Sequence, residues 1–275
     1  MQSQTIYEQR LCAFVDILGF RDLVERSQQR PVLQTKIHQL LRKVVQAQPV
    51  WERDSPVDLI EARLAQQGAS DPKHEAELLV REYAAAERGS SFSDSLILSA
   101  TLNERAITGL ITSLLFLSRG LAELGKYARG AVCLGPLCHE RDLCFGPALI
   151  NAYDLEKNAE YPRIVFTPEA YAEVVKIQSP SVGPLAPYLR EDECDGGRFL
   201  DFLSQAVLDL AGPFRSEQMG EIRRELGRQL SSSQTPIKDQ RKIVWLARYF
   251  NSVLRKAPIK GIEPLPNGTW NEVTV

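Results

Sequence analysis

The sequence offers little for binding a soft or borderline metal. Its three histidines, His38, His74 and His139, stand at no metal-ligand spacing. Its five cysteines are an odd number with no Cys-x-x-Cys pair, which reads as reduced thiols in a cytosolic protein. There is no excess of positive charge: the formal net charge is −2, which speaks against a nucleic-acid partner. No apolar run approaches the roughly 20 residues of a membrane span. The most apolar stretch, 107–117, is interrupted by Thr108, Thr112 and Ser113 and followed by Ser118, so a buried helix is expected there. The start, Met1 followed by Gln-Ser-Gln-Thr, has neither the basic region nor the apolar core of a signal peptide, and a cytoplasmic location is expected. No internal repeat is present. The 275 residues, 44% apolar and 25% charged, suit one large globular domain or a domain with an appendage.

Against that background one stretch stands out: Cys12-Ala-Phe-Val-Asp-Ile-Leu-Gly-Phe20. It begins as an apolar strand, places a carboxylate, Asp16, at its end, and turns on Gly19 into a helical pattern. Free backbone N–H groups at such a helix start favour phosphate, and a carboxylate beside them favours a hard cation. The helical pattern runs from Phe20 to about Ala47, with Pro31 breaking or kinking it near the middle. A surface insertion is expected at about 48–72, punctuated by Pro49, Pro56, Gly68 and Pro72, and a helix over 72–86.

Arg88–Leu98 reads as a hairpin turning near Ser93–Ser95, which puts a second acid, Asp94, at the turn. A long helix over Asn103–Tyr127 follows. Strands are expected at Arg129–Leu137 and Leu143–Phe145, with polar His139–Asp142 as the turn between them. Pro147–Asn158 reads as a short helix, Arg163–Phe166 as a strand, and Thr167-Pro-Glu-Ala as a capped helix start. Residues 179–200 read as loop, and two helices follow at about Ser216–Leu230 and Ile237–Lys256. Hairpins alternating with helices imply an α+β fold, ferredoxin-like at heart, with an antiparallel or mixed sheet. If the first strand and the hairpin are neighbours, Asp16 and Asp94 meet at one end of the sheet. Two carboxylates and a strand-end carbonyl there suit two Mg²⁺ or Mn²⁺ ions.

In order, these pieces resemble the class III nucleotidyl cyclase catalytic domain over about residues 9–177. That family opens on Phe-x-Asp-Ile-x-Gly-Phe, matched by Phe14-Val-Asp16-Ile17-Leu18-Gly19-Phe20. Ser93-Asp94 stands where the family carries Gly-Asp, and Arg129-Gly-Ala-Val-Cys-Leu-Gly135 matches its next strand. Phe145-Gly146 opens the short helix that carries a later Glu, here Glu156. The resemblance implies a cyclase core at 1–178 and a helical C-terminal extension at 179–275. It implies that Asp16, Asp94 and the Ile17 carbonyl hold the two divalent ions. It implies that Leu18, Gly19 and Phe20 bind the triphosphate, and that a homodimer forms its active sites at the interface.

The chain departs from the family where the transition state and the base are met. The usual helper Asn and Arg of the short helix fall on Ile150 and Asp154, which leaves Asn151 and Lys157 as candidates for that role. The usual adenine-reading Lys is Ser90. Phe14, Tyr7, Arg88 and Ser90 are the candidates for binding the base, with Arg88, Ser90, Phe92 and Asp94 expected on one strand face. These departures, with Ala152-Tyr-Asp-Leu-Glu156, resemble the pyrimidine cyclases of bacterial antiphage (Pycsar) systems. That resemblance implies conversion of UTP to cyclic UMP as a signal for a separate effector protein. The alternatives are a cytidylate cyclase, an adenylate or guanylate cyclase with an unusual base pocket, and a catalytically silent nucleotide-binding domain.

Overall fold

The computed structural model describes residues 6–45, 65, 68, 70–74, 87–140, 143–179, 182–193, 195–204, 206–207, 215–232 and 237–266. Most of the expected insertion at 48–72 and of the helix at 72–86 lies outside the described residues.

The chain is mixed α/β, with helices packed on a mixed sheet. Strand β1 (Glu8–Leu18) leads into helix α1 (Phe20–Ser27) and, after a break, α2 (Pro31–Val45). Pro31 therefore starts a new helix, at the position where a missing N–H is least harmful. The hairpin of β2 (Glu87–Phe92) and β3 (Ser95–Thr101) is followed by the long helix α3 (Glu104–Glu123). Asn103 caps α3, its side chain accepting from the Ala106 N–H at 2.8 Å. Next come β4 (Tyr127–His139), β5 (Cys144–Phe145), α4 (Pro147–Lys157), β6 (Ile164–Phe166) and α5 (Pro168–Val175). His139 ends β4 instead of lying in the turn after it.

Residues 179–200, expected as loop, contain short strands. β7 (Gln178–Ser179) and β8 (Gly183–Pro184) pair with each other, and β9 (Leu189–Glu191) and β10 (Arg198–Leu200) join the main sheet. Helices α6 (Arg215–Leu230) and α7 (Ile237–Lys256) follow. The sheet order is β2-β3-β1-β4-β6-β10-β9, with β5 on β4; the β4–β6 pair is parallel and the other pairs are antiparallel.

β1 is central, and its alternation sorts the sheet's two faces. Leu11, Ala13, Val15 and Ile17 are buried in the main core against α3, which contributes Ile107, Ile111, Leu114, Leu117 and Leu121. α3 is the one helix among the described residues long and apolar enough to cross a membrane, and most of it is buried in this core. The same core takes in Leu185, Tyr188 and Phe199 and, from α6 and α7, Met219, Trp245 and Phe250. Buried Arg163 ties these parts together. It pairs with Asp192 and Asp195 and lies over the rings of Tyr161, Phe199 and Trp245. The Trp245 indole N–H donates to the same Asp192 at 2.8 Å.

The other face carries Arg10, Cys12, Phe14 and Asp16 on β1. Register sets Asp16 opposite Ser95 and Arg129, and Phe14 opposite Ile97 and Ala131. Helix α4 lies on this face through the stripe Ala148, Ala152 and Glu156, spaced one turn apart.

Within the β2–β3 turn, Ser93 has φ +56°, the one non-glycine residue with positive φ among the described residues. Ser93→Gly is expected to raise unfolding free energy by about 0.5–1 kcal/mol by relieving this conformation. Urea unfolding measures it, and a loss of stability would contradict the reading of the turn.

Candidate functional site

The two acids meet at one end of the sheet. The Ile17 N–H donates to the Asp94 carbonyl at 2.9 Å, which fastens the hairpin turn to the end of β1. Asp94 is exposed and Asp16 half-buried. Burial lifts the Asp16 carboxyl above the usual carboxylate range, with Glu156 and then Asp94 adding repulsion, while Arg129 and Lys242 pull the other way.

Two further side chains complete this end. Arg129, opposite Asp16, lies 2.6 Å from the Glu156 carboxylate and 3.7 Å from that of Asp16. Its other guanidinium nitrogen donates to the Ala159 carbonyl at 3.4 Å. Glu156 is 4% exposed, so α4 brings a buried carboxylate to the site and Arg129 answers it. In the sequence Arg129 marks only the start of an expected strand and Glu156 only the later acid of the short helix; their pairing is made by tertiary contact.

The turn after β1 is built by two glycines. Gly19, at φ +74°, caps α1, and a Cβ there would lie 3.0 Å from the Lys126 Nζ. Gly125, at φ +68°, ends α3, with its N–H bonded to the Ala122 carbonyl and that of Lys126 to the Leu121 carbonyl. That C-cap delivers Lys126 to the Leu18–Phe20 turn, where its ammonium is 2.6 Å from Asp22 and holds that carboxyl below its usual range. No sequence signal marked Lys126. Leu18 and Phe20 are half-buried and Gly19 exposed.

The base candidates lie elsewhere on the same face. Arg88 is opposite Ser99, and Ser90 opposite Ile97. The Ser90 hydroxyl is 3.0 Å from His139 Nε2. Phe14 meets Tyr153 edge-on, with ring centres 5.3 Å apart, and Tyr7 meets Phe145 at 5.6 Å. Arg88 is therefore four strand residues from the level of Asp16, about 13 Å along the sheet. Asn151 and Lys157 are exposed on α4, flanking its buried stripe, and the Lys157 ammonium lies 5.9 Å from the centre of the Tyr153 ring.

Among the described residues no three His, Cys, Asp or Glu side chains form a metal cage. Asp16 and Asp94 are hard oxygen donors, the ligand chemistry that a divalent cation takes. Asp16 is repelled by Glu156 and Asp94, a repulsion of the kind a bound cation relieves. Searches against known proteins found no matching family model and no matching protein of established function.

Arg129→Ala is expected to cost about 3 kcal/mol, because it leaves Glu156 buried without its partner. Adding Glu156→Gln to that variant should restore part of the loss. Chemical denaturation of the two variants measures this, and a loss under about 1 kcal/mol for Arg129→Ala would contradict the pairing.

Proposed function

We propose that the chain is a pyrimidine nucleotide cyclase that converts UTP to 3′,5′-cyclic UMP and pyrophosphate. The observation that carries this reading is the meeting of Asp16 and Asp94 through the Ile17–Asp94 backbone bond, beside a helix start turned by Gly19. The sheet order supports it. In β2-β3-β1-β4 each neighbouring pair is antiparallel, so the units β1–α1/α2–β2 and β3–α3–β4 are each split by a strand of the other. This strand order supports reading the core as ferredoxin-like, the kind of core that class III cyclases carry.

In this reading Asp16, Asp94 and the Ile17 carbonyl hold two Mg²⁺ or Mn²⁺ ions. When bound, the ions lower the pKa of the ribose 3′-hydroxyl and neutralise the triphosphate. The N–H groups of Leu18, Gly19 and Phe20 bind phosphate oxygens, and Lys126 adds a cation beside them. The ribose 3′-hydroxyl gives up its proton to water, and its oxygen forms a bond to the α-phosphorus as the bond from that phosphorus to pyrophosphate breaks. Phe14, Tyr7, Arg88 and Ser90 meet the base. Asn151 and Lys157 stand on the open flank of α4, available to a neighbouring copy. Exposed Phe92, Ile150 and Tyr153 on and beside the site face suit a homodimer that forms its sites at the interface. The cyclic product would act on a separate effector in an antiphage response within the cytoplasm.

Asp16→Ala and Asp94→Ala should each lower formation of cyclic product from UTP by at least about a hundredfold, while circular dichroism and gel-filtration elution stay unchanged. Turnover retained in either variant would contradict the metal assignment.

A further inference from the structure

The metal-site reading does not use a buried polar chain on the same face. Arg10, 3% exposed, donates its Nε–H to the Ser99 hydroxyl at 3.0 Å. Ser99, 1% exposed, is 2.9 Å from His139 Nδ1, and His139 Nε2 is 3.0 Å from the Ser90 hydroxyl. His139 is buried at the end of β4, while Ser99 and Ser90 belong to β3 and β2. Beside them the Nε of Arg88 is buried without a hydrogen-bond partner among the described residues. A buried donor left unmatched costs about 1–3 kcal/mol, and a ligand acceptor would recover that loss.

One direction of the chain gives every member a partner, with the Ser99 hydroxyl donating to the ring. An arginine Nε only donates, so Ser99 accepts from Arg10; its hydroxyl has room for a second acceptor bond, and in the tautomer we assign it instead gives its one hydrogen to His139 Nδ1. A neutral imidazole then carries its proton on Nε2 and donates it to Ser90. Burial, with Arg10 and then Arg88 nearby, pushes the His139 pKa down to about 4, so the ring is neutral at physiological pH. Ser90 has accepted from His139, and its own hydrogen is left to donate outward.

We infer that His139 is a positioning residue for base selection: it sets the Ser90 hydroxyl as a hydrogen-bond donor, and Ser90 with Arg88 selects a base edge that presents carbonyl oxygens. The inference rests on the nucleotide reading proposed above. Uracil offers carbonyl oxygens where cytosine offers an amino group, and an amino group facing two donors leaves all of them unpaired. The charge of the ligand plays no part in this choice; the direction of one proton does.

Two measurements test it. Long-range ¹H–¹⁵N NMR of the free protein at pH 7 reads the His139 tautomer directly. Protonation at Nε2 is expected, and protonation at Nδ1 would overturn the inference whatever the protein binds. Equilibrium binding of UTP and of CTP, with Ca²⁺ to hold back turnover, is then compared for the unaltered protein, Ser90→Ala and His139→Ala. The UTP-to-CTP preference should fall about tenfold in both variants, with CTP affinity held. Ser90 is half-buried at the β2 edge, so Ser90→Ala keeps the test open if His139→Ala fails to fold. An unchanged ratio, or equal weakening of both nucleotides, would overturn the role of His139 while leaving the cyclase reading intact. Binding of neither nucleotide by the unaltered protein would overturn the cyclase reading and this inference together.

Discussion

Everything at the candidate site depends on β1 being paired along both edges in one register. That pairing sends Leu11, Ala13, Val15 and Ile17 into the main core and leaves Arg10, Cys12, Phe14 and Asp16 on the other face. A slip of one residue would exchange the two sets, burying Asp16 among leucines and exposing Ile17. The core therefore fixes the site: hydrophobic burial on one face decides where the carboxylate stands on the other. The Ile17–Asp94 bond extends this control to the hairpin, so the second acid is placed by the backbone of the first strand.

The site's electrostatics follow from that placement. Burial, and then the nearness of Glu156 and Asp94, makes Asp16 resist ionisation, while Arg129 pairs with both Asp16 and Glu156. Such an arrangement contributes poorly to stability by itself, since a half-buried cluster of carboxylates is desolvated and mutually repelled. It makes chemical sense when a cation shares the carboxylates, and this is the physical ground on which the proposed metal-dependent reaction stands. The neighbouring polar chain from Arg10 to Ser90 works differently. Its one carboxylate, Glu8, is paired with Arg10 at 2.9 Å at the far end, and its histidine is neutral, so at Ser90 it can distinguish ligands by hydrogen-bond direction.

Much of this architecture was legible in the residues. The β1 stretch, the break at Pro31, the hairpin turn with Asp94, the Asn103 start of α3 and the Thr167 cap all carry strong local signals, and the structure has them at or near the expected positions. What the sequence did not reveal are features made by tertiary contact. β9 and β10 are three residues each, too short for alternation to register, and they exist because β6 offers them an edge. His139 looked like a turn residue because polar neighbours follow it, yet two serines on other strands hold it in a buried position. Lys126 reaches the Gly19 turn through a helix C-cap, which leaves no mark in residue spacing around β1. Ser93 occupies a left-handed position that glycine fills more easily, a conformation set by the turn and not marked by the residue type.

In the proposed reaction this face of the sheet turns over a pyrimidine nucleoside triphosphate. The most direct test incubates the purified protein with Mn²⁺ and, separately, ATP, GTP, CTP and UTP, and resolves the products by chromatography and mass spectrometry. A 3′,5′-cyclic product, with release of pyrophosphate, is expected from UTP in preference to the other three. A cyclic product from ATP or GTP instead, or none from any nucleotide, would contradict the proposed reaction.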